Sequence, residues 1–372
     1  PPPGRPSGDS SDRDDTQGHY RGQAGDVIRQ QYVVSREVGL GTFGRVLRCF
    51  DRRHDDHVAV KVVRSLRKYT ESARVEADIL EDVRRKMRAD GNSHCVKLFD
   101  RFSFQGHYCL VFEELGMSLF EFMKANSYEP FSPEDVRDVA RQLLEALRFL
   151  HETCKLIHTD LKLENVLFVN SSYRTETRRG RNVMVPRSTR IKLIDFGGAT
   201  YERDCEAGVI NTRQYRGPEV VLELGWSFPS DLWSAGCIIA ELYRGEMLFG
   251  THDNREHVAL MERTVGAFPR WMVWGCAQRA KFFHNDGRVL VEDLPESSWR
   301  HVQAQPRLEQ VFEAHAELGI AQLVRMLLQL DPGSRASASR ALECPFLARE
   351  ERNEARHSES RDGGRRRRHS LR

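Results

Sequence analysis

Residues 158–165 hold side chains whose types and spacing suit the transfer of a phosphoryl group. They read His-Thr-Asp-Leu-Lys-Leu-Glu-Asn. Transfer to a hydroxyl needs a carboxylate that orients and deprotonates the acceptor, and Asp160 has that chemistry. Lys162 can place a cation near the migrating group, and Asn165 offers a side-chain oxygen to a metal ion. We therefore predict that this segment is a catalytic loop.

A second acidic residue follows a short apolar run further along the chain. Asp195 lies in Ile-Asp-Phe-Gly, residues 194–197, directly after Ile-Lys-Leu. We predict that its carboxylate is the second metal ligand. An isolated Asp-Phe-Gly would indicate no more than a turn, so its meaning depends on the other motifs.

A glycine-rich segment precedes both motifs. Gly39, Gly41 and Gly44 lie between two strand-like runs, where glycine lets main-chain amides approach phosphates closely. Taken alone this pattern is weak, since a chain of this length contains one by chance roughly one time in ten. A dinucleotide-binding unit would have a helix directly after the glycines, whereas here a strand follows.

Lys61 ends the apolar run Val-Ala-Val-Lys, and Glu76 lies on the helix expected after it. By itself, a lysine at the end of a strand is usually a surface residue whose stem lies along apolar neighbours. A lysine paired with a helix glutamate can instead hold its ammonium over the phosphates of a nucleotide. We predict the second arrangement for Lys61 and Glu76.

The order of these motifs excludes a chance assembly. The glycine loop, strand lysine, helix glutamate, catalytic loop and Asp-Phe-Gly are followed by Gly-Pro-Glu at 217–219, all at plausible intervals. Together they indicate a protein kinase that transfers phosphate from ATP to hydroxyl side chains of proteins. The cofactors implied are ATP and Mg²⁺.

The elements that must position these residues form an α+β fold with two lobes. Order is expected to begin near Tyr32, with the kinase domain over 27–347. Its parts are a small antiparallel β lobe with one key helix (32–112), a hinge (113–117) and a larger, mainly helical lobe (118–347). Residues 1–26 and the basic tail 348–372 are expected to be disordered. Hydrophobic spacing predicts helices over 71–87, 132–151, 231–244, 254–265 and 318–329.

Composition excludes several other classes of protein. The 372 residues include 40% hydrophobic and 30% charged residues with a net charge of only +3, so the whole molecule is not an electrostatic nucleic-acid binder. We expect no membrane span. The eight cysteines include no C-x-x-C pair and are expected to be reduced thiols.

The segment 212–219, Thr-Arg-Gln-Tyr-Arg-Gly-Pro-Glu, resembles the corresponding motif of the LAMMER (CDC-like) protein kinases. Residues 256–263 read Glu-His-Val-Ala-Leu-Met-Glu-Arg, similar to the helix that names this family, with two apolar exchanges close in volume. The long connection 169–190 matches the β-hairpin insertion expected of the family, although its arginines could form only a solvated face. The resemblance covers about residues 20–347.

The resemblance implies further roles for individual residues. Thr212 would bond Asp160 and Lys162, and Glu219 would pair with Arg335. The substrate-binding candidates are Glu164, which could pair with a substrate arginine, and Arg213. The adenine site would be formed by the gatekeeper Phe112, by the main chain of Glu113 and Leu115, and by the side chains of Val46, Ala59 and Leu167.

Three positions depart from the usual kinase pattern. Leu163 replaces proline and Gly217 replaces alanine, and the latter could loosen the substrate-binding loop. Thr159 stands where many kinases have the arginine that reads a phosphorylated activation loop; LAMMER kinases share this threonine. Acidic residues 202, 204 and 206 could supply fixed charge instead. Our hypothesis is an enzyme that is active without an upstream kinase.

The family implies a dual-specificity enzyme that phosphorylates serine/arginine-rich splicing factors and its own tyrosines. We expect a monomer, although the sequence does not give the oligomeric state. The run Arg365–Arg368 could be a nuclear-import signal, so we expect the nucleus, although a solvated tail would look similar. No aromatic residues interleave with these arginines, so direct nucleic-acid binding is not expected. The alternatives are a pseudokinase scaffold and a related kinase of the SR-protein or dual-specificity tyrosine-regulated type.

Overall fold

The computed structural model describes residues 18–90, 94–178, 180–205, 208–312 and 318–348. A small lobe built on a six-stranded antiparallel sheet precedes a larger helical lobe. The strands of the sheet are β1 Val27–Ile28, β2 Tyr32–Gly41, β3 Gly44–Asp51, β4 Asp56–Val63, β5 Leu98–Phe104 and β6 His107–Glu113. Their order across the sheet is β1-β2-β3-β4-β6-β5.

The turn between β2 and β3 requires glycine. Gly41 pairs with Gly44 across the hairpin, and Gly44 has φ of +155°. A Cβ on Gly44 would lie 2.3 Å from the carbonyl oxygen of Val62, so any side chain there would push the loop off β4. The two strand-like runs on either side of the glycines are thus the strands of one hairpin, and its turn lies close to β4.

Residues 18–26 pack against the small lobe, which corrects the expectation that 1–26 is disordered and that order begins near Tyr32. Tyr20 is only 7% exposed and its ring meets Phe104 edge to face. The Arg45 guanidinium donates to the carbonyl oxygens of Tyr20 and Gly22. A single aromatic residue therefore anchors a segment of otherwise small and polar residues. Residues 1–17 and 349–372 lie outside the described residues.

One long helix, α1 Arg67–Asp90, crosses the inner face of the small-lobe sheet. It extends four residues before and three after the predicted span 71–87. Its apolar stripe is buried in the core that continues into the larger lobe. The outer face of the sheet has a separate apolar cluster. The buried stripe comprises Ala73, Ala77, Leu80 and Val83.

The larger lobe contains most of the helices. Ser132 caps the helix that begins at Pro133, and its hydroxyl accepts from the amide of Asp135. The described helices are α2 Leu119–Ala125, α3 Pro133–Arg148, α4 Pro218–Val221, α5 Pro229–Arg244, α6 Asn254–Val265, α7 Arg270–Gly275, α8 Arg279–Phe282, α9 Glu296–Ala304, α10 Leu308–Phe312, α11 Leu318–Leu327 and α12 Ala338–Leu342.

Three helix boundaries predicted for the larger lobe differ from the structure. The helix predicted over 231–244 begins two residues earlier, at Pro229. The helix expected to run to His151 leaves α-helical geometry after Arg148 and continues to Cys154 as a π-helical turn. The helix predicted over 318–329 ends at Leu327. Within the described ranges we find no helix with the length and apolar character that a membrane span requires.

Short strands pair in the larger lobe near the interlobe cleft. β7 Leu156–Ile157 pairs with β12 Thr200–Tyr201, and β8 Val166–Phe168 pairs with β11 Ile191–Leu193. The expected insertion is a hairpin of β9 Tyr173–Arg178 and β10 Arg181–Pro186.

Asn126, just after α2, fixes this inserted hairpin to the lobe. Its side-chain amide donates to the Met184 carbonyl at 2.9 Å and accepts from the Met184 amide at 2.7 Å. The two bonds give one residue of β10 a side-chain partner that imitates a neighbouring strand.

A buried ion pair holds α4 to the end of the lobe. Arg335 donates to both carboxylate oxygens of Glu219, at 2.7 and 2.9 Å, and both side chains are almost fully excluded from solvent. The same guanidinium lies 5.1 Å from the ring of Trp233. All five tryptophans of the chain belong to this larger lobe, at Trp226, Trp233, Trp271, Trp274 and Trp299.

Replacing Arg335 by alanine should lower the free energy of unfolding by about 3–5 kcal/mol, because it leaves the Glu219 carboxylate buried without its cation. Urea denaturation followed by far-UV circular dichroism measures the change. Arg300→Ala removes one side of the exposed pair with Glu296 and should leave stability nearly unchanged. Equal effects of the two substitutions would contradict this prediction.

Candidate active site

The carboxylate of Asp231, at the start of α5, fixes the catalytic loop. It is fully buried and accepts from the main-chain amides of His158 at 2.8 Å and Thr159 at 3.0 Å. The His151 ring contacts it at 2.9 Å. Thr159 has φ of +69°, a conformation that β-branched residues rarely adopt. The bonds from Asp231 hold this strained residue in place and thereby orient the next residue, Asp160.

Asp160 lies in a group of polar side chains. Its carboxylate accepts from the Lys162 ammonium at 2.7 Å and from the Thr212 hydroxyl at 2.7 Å, while Lys162 also reaches that hydroxyl at 3.1 Å. Burial acts to raise the pKa of Asp160, but the hydrogen bonds from Lys162 and Thr212 outweigh it and lower the pKa. Asp160 is therefore ionised at neutral pH and able to accept a proton.

The two predicted metal ligands line the interlobe cleft together. The amide nitrogen of Asn165 donates to the carbonyl oxygen of Asp160 at 2.8 Å, so its oxygen remains as the ligating atom. The Asp195 carboxylate is 37% exposed and lies 3.9 Å from the Lys61 ammonium. One carboxylate and one amide oxygen suit Mg²⁺, which commonly takes one or two protein ligands beside water and substrate phosphates.

Lys61 and Glu76 form the ion pair that the sequence suggested. The ammonium lies 3.0 and 2.8 Å from the two carboxylate oxygens of Glu76. Burial acts to lower the pKa of Lys61, but the charges of Glu76 and Asp195 overcome it and raise the pKa. The ammonium thus keeps its proton and presents a fixed positive charge to the cleft.

The cleft between the lobes has a volume of about 770 Å³, enough for a nucleotide. Its roof is the glycine hairpin, and its floor includes residues that follow the catalytic loop. The predicted nucleotide-site residues that line it are Gly39, Gly41, Gly44, Val46, Ala59, Lys61, Phe112, Glu113, Leu115 and Leu167.

The two substrate-binding candidates differ in their surroundings. Glu164 is exposed and lines the cleft beside Asn165. Arg213 instead donates to the side-chain oxygen of Asn254 on α6 and is not part of the cleft lining. A substrate role for Arg213 would require that bond to break, and it stays a prediction.

An acidic residue absent from the sequence-based predictions adjoins this site. Glu241, on α5, is 4% exposed and accepts from the Tyr215 hydroxyl at 2.6 Å. Burial raises the pKa of Glu241 to about 7, and the nearby charge of Glu164 adds to the effect. A lone acid after the apolar run Ile238–Ala240 is the sequence signal that could have revealed it, because buried acids usually have a partner.

Comparison with known proteins agrees with this geometry. The protein kinase domain family matches residues 32–347. The serine/threonine-protein kinase AFC2 of Arabidopsis thaliana is 42% identical over 90% of this chain and 81% of its own length. The human dual specificity protein kinase CLK2 is 42% identical over 90% of this chain and 68% of its own length.

A solved structure shows the same fold. A crystal structure of a kinase domain superposes with a TM-score of 0.81 and 37% identity, covering 89% of this chain and 99% of that domain. The predicted α+β, two-lobed fold is confirmed by these matches, as is the predicted relationship. The chain belongs to the CDC-like (LAMMER) family of protein kinases and is a dual-specificity protein kinase.

Proposed function

We propose that this kinase phosphorylates serine and threonine in arginine/serine-rich proteins, splicing factors among them, and also phosphorylates its own tyrosines. The observation that carries the substrate class is the pair of carboxylates, Glu164 and Glu241, beside the catalytic loop. A cationic guanidinium from the substrate would complete this pair.

The residues of the site divide the work of transfer. Lys61 and the glycine hairpin would hold the phosphates of ATP, and Asn165 with Asp195 would hold Mg²⁺, which supplies charge neutralisation on those phosphates when bound. Ionised Asp160 orients the acceptor hydroxyl and takes its proton. Lys162, held by Asp160 and Thr212, places a cation beside the transferred group.

Glu241 has unusual surroundings for a carboxylate. In the described structure its hydrogen-bond donor is the Tyr215 hydroxyl, and burial disfavours its charged form. An arginine from a substrate would offer a bidentate donor and a compensating charge, which is the strongest common partner for a desolvated carboxylate. An acidic substrate residue would meet repulsion from Glu164 and Glu241 instead. The pair therefore favours arginine-rich over acidic sequences.

We expect phosphate transfer from Mg-ATP to an arginine/serine-repeat peptide to exceed transfer to matched Ser-Pro and acidic-site peptides. Radiolabelled phosphate on each peptide gives kcat/KM, and mass spectrometry detects phosphotyrosine on the enzyme in the same reactions. Asp195→Ala, which removes a metal ligand, is the inactive control. Equal transfer to all three peptides would contradict the proposed substrate class.

Replacing Glu241 by glutamine should raise KM for arginine-containing peptides by about tenfold, because a charge-assisted bond becomes a neutral one. KM of the wild-type enzyme for these peptides should fall as the pH rises through about 7, since the carboxyl is neutral below its pKa and anionic above it. Steady-state kinetics at a series of pH values measures both effects.

Glu164→Ala should act in the same direction on KM. Glu246→Gln, just beyond the end of α5, is the matched control and should change neither KM nor its pH dependence. An equal rise in KM for peptides with and without arginine would show that the carboxylates support the loop generally and do not read arginine.

We propose that the enzyme acts in the nucleus. The run Arg365–Arg368 is a cluster of basic residues of the kind that import receptors bind, and it lies outside the described residues. A fluorescent fusion of the chain should accumulate in nuclei and lose that preference when the four arginines are replaced by alanine. Unchanged distribution of the variant would remove the support for this proposal.

A further inference from the structure

Tyr201 connects two elements that are far apart in the chain. It lies in β12, six residues after Asp195, in the activation segment (residues 195–219). Its hydroxyl donates to Asp82 of α1 at 2.9 Å. Asp82 belongs to the same helix as Glu76, the partner of Lys61. The bond therefore joins the activation segment to the helix that completes the nucleotide site.

The surroundings of this bond keep both partners in the required protonation state. The Lys86 ammonium pairs with Asp82 at 2.9 Å. Partial burial acts to raise the pKa of Asp82, but hydrogen bonds from Lys86 and Tyr201 outweigh it and lower the pKa. Partial burial, and then the bond and charge of Asp82, raise the pKa of Tyr201 to about 12. The hydroxyl thus stays a donor and the carboxylate an acceptor across physiological pH.

Two cationic side chains lie over the Tyr201 ring and orient it. The Arg203 guanidinium lies 5.3 Å from its centroid and the Lys86 ammonium 6.0 Å from it, both within reach of the ring's π-system. Lys86 also reaches the carbonyl oxygen of Cys154 at the end of the π-helical turn. The ring is therefore positioned between α1 and the larger lobe.

Hydrogen bonds that need no phosphorylated residue attach the start of the activation segment to the larger lobe. The Thr159 hydroxyl donates to the carbonyl oxygen of Gly198 at 2.7 Å. Thr200 and Tyr201 pair with β7, and the Glu202 amide donates to Lys155 O at 3.0 Å. Because these bonds fix the main chain at residue 201, the tyrosine side chain can transmit that position to α1.

We propose that Tyr201 is a positioning residue, whose bond to Asp82 holds α1 where Glu76 meets Lys61. The helix has two arrangements available in principle, with Glu76 at Lys61 or withdrawn from it, and the bond favours the first. Here a tyrosine hydroxyl supplies the link between activation segment and helix that an added phosphate could supply elsewhere. The proposal rests on kinase activity but on no particular substrate.

The test compares five variants of the whole chain, namely four single variants and the double variant of Tyr201→Phe with Asp82→Ala, made in bacteria and treated with phosphatase. Tyr201→Phe removes the hydroxyl, and Asp82→Ala removes the acceptor. Asp82→Asn keeps an oxygen acceptor for the tyrosine while it removes the charge that pairs with Lys86. Tyr173→Phe, in the exposed inserted hairpin, is the matched control.

We expect Tyr201→Phe and Asp82→Ala each to lower kcat/KM for ATP by about tenfold, with any peptide that the wild-type enzyme phosphorylates. The double variant should lose no more than the more damaged of the two single variants, because both substitutions remove the same hydrogen bond. Asp82→Asn should retain most of the activity and Tyr173→Phe all of it. In hydrogen-exchange measurements, the α1 amides around Glu76 should exchange faster in Tyr201→Phe than in the wild-type enzyme. Their exchange should be unchanged in Tyr173→Phe.

Three results would overturn the proposal. Unchanged kcat/KM and α1 exchange in Tyr201→Phe would show that the bond positions nothing. Losses that multiply in the double variant would assign Tyr201 and Asp82 to separate roles. Damage by Asp82→Asn equal to that by Asp82→Ala would assign the effect to the ion pairs of Asp82 with Lys86 and Arg85. If the wild-type enzyme transfers phosphate to no substrate, the proposed function fails, and hydrogen exchange still decides this point.

Discussion

The Asp231 carboxylate has no exposed surface, and the arrangement of the catalytic loop depends on its bonds. A buried carboxylate is tolerated only when hydrogen-bond donors surround it, and here two consecutive main-chain amides and a histidine ring do so. The same two amide hydrogen bonds hold Thr159 in a left-handed conformation that costs on the order of 1–3 kcal/mol. That conformation determines the direction of Asp160. The geometry of phosphate transfer is thus set from within α5, a helix of the larger lobe in which 13 of the 16 residues are buried.

From this anchor a continuous set of polar contacts reaches the small lobe. The Thr159 hydroxyl holds Gly198, the strand pair beyond it holds Tyr201, and Tyr201 reaches Asp82 on α1. The same helix carries Glu76 to Lys61 on β4. Each of these bonds has an ordinary length, and together they connect the larger lobe to the small lobe. The threonine beside the catalytic aspartate therefore has a positive role, since its short hydroxyl ties the catalytic loop directly to the activation segment.

The residues of the candidate active site were predictable because phosphoryl transfer restricts their types, spacing and order. The structure places Asp160 in hydrogen-bond contact with Lys162 and Asn165, and Asp195 lines the cleft with Asn165. The two-lobed fold followed from those motifs and from helical spacing. Contacts between distant segments were not predictable: 119 residues separate Tyr201 from Asp82, and either is an unremarkable surface residue in sequence. Tyr20 was missed because one aromatic residue amid polar neighbours gives no period. The π-helical turn was missed since Phe149 and Leu150 continue the apolar spacing of α3.

The placement of the five tryptophans has a consequence for spectroscopy. Because all of them lie in the larger lobe, tryptophan fluorescence does not report events confined to the small-lobe sheet. Trp233 is fully buried and stacked on Phe249, whereas Trp271 and Trp274 are about half exposed. The emission spectrum is therefore the sum of blue-shifted emission from a buried indole and red-shifted emission from solvent-exposed indoles. To follow the opening and closing of the cleft by tryptophan fluorescence, a tryptophan would have to be introduced into the small lobe.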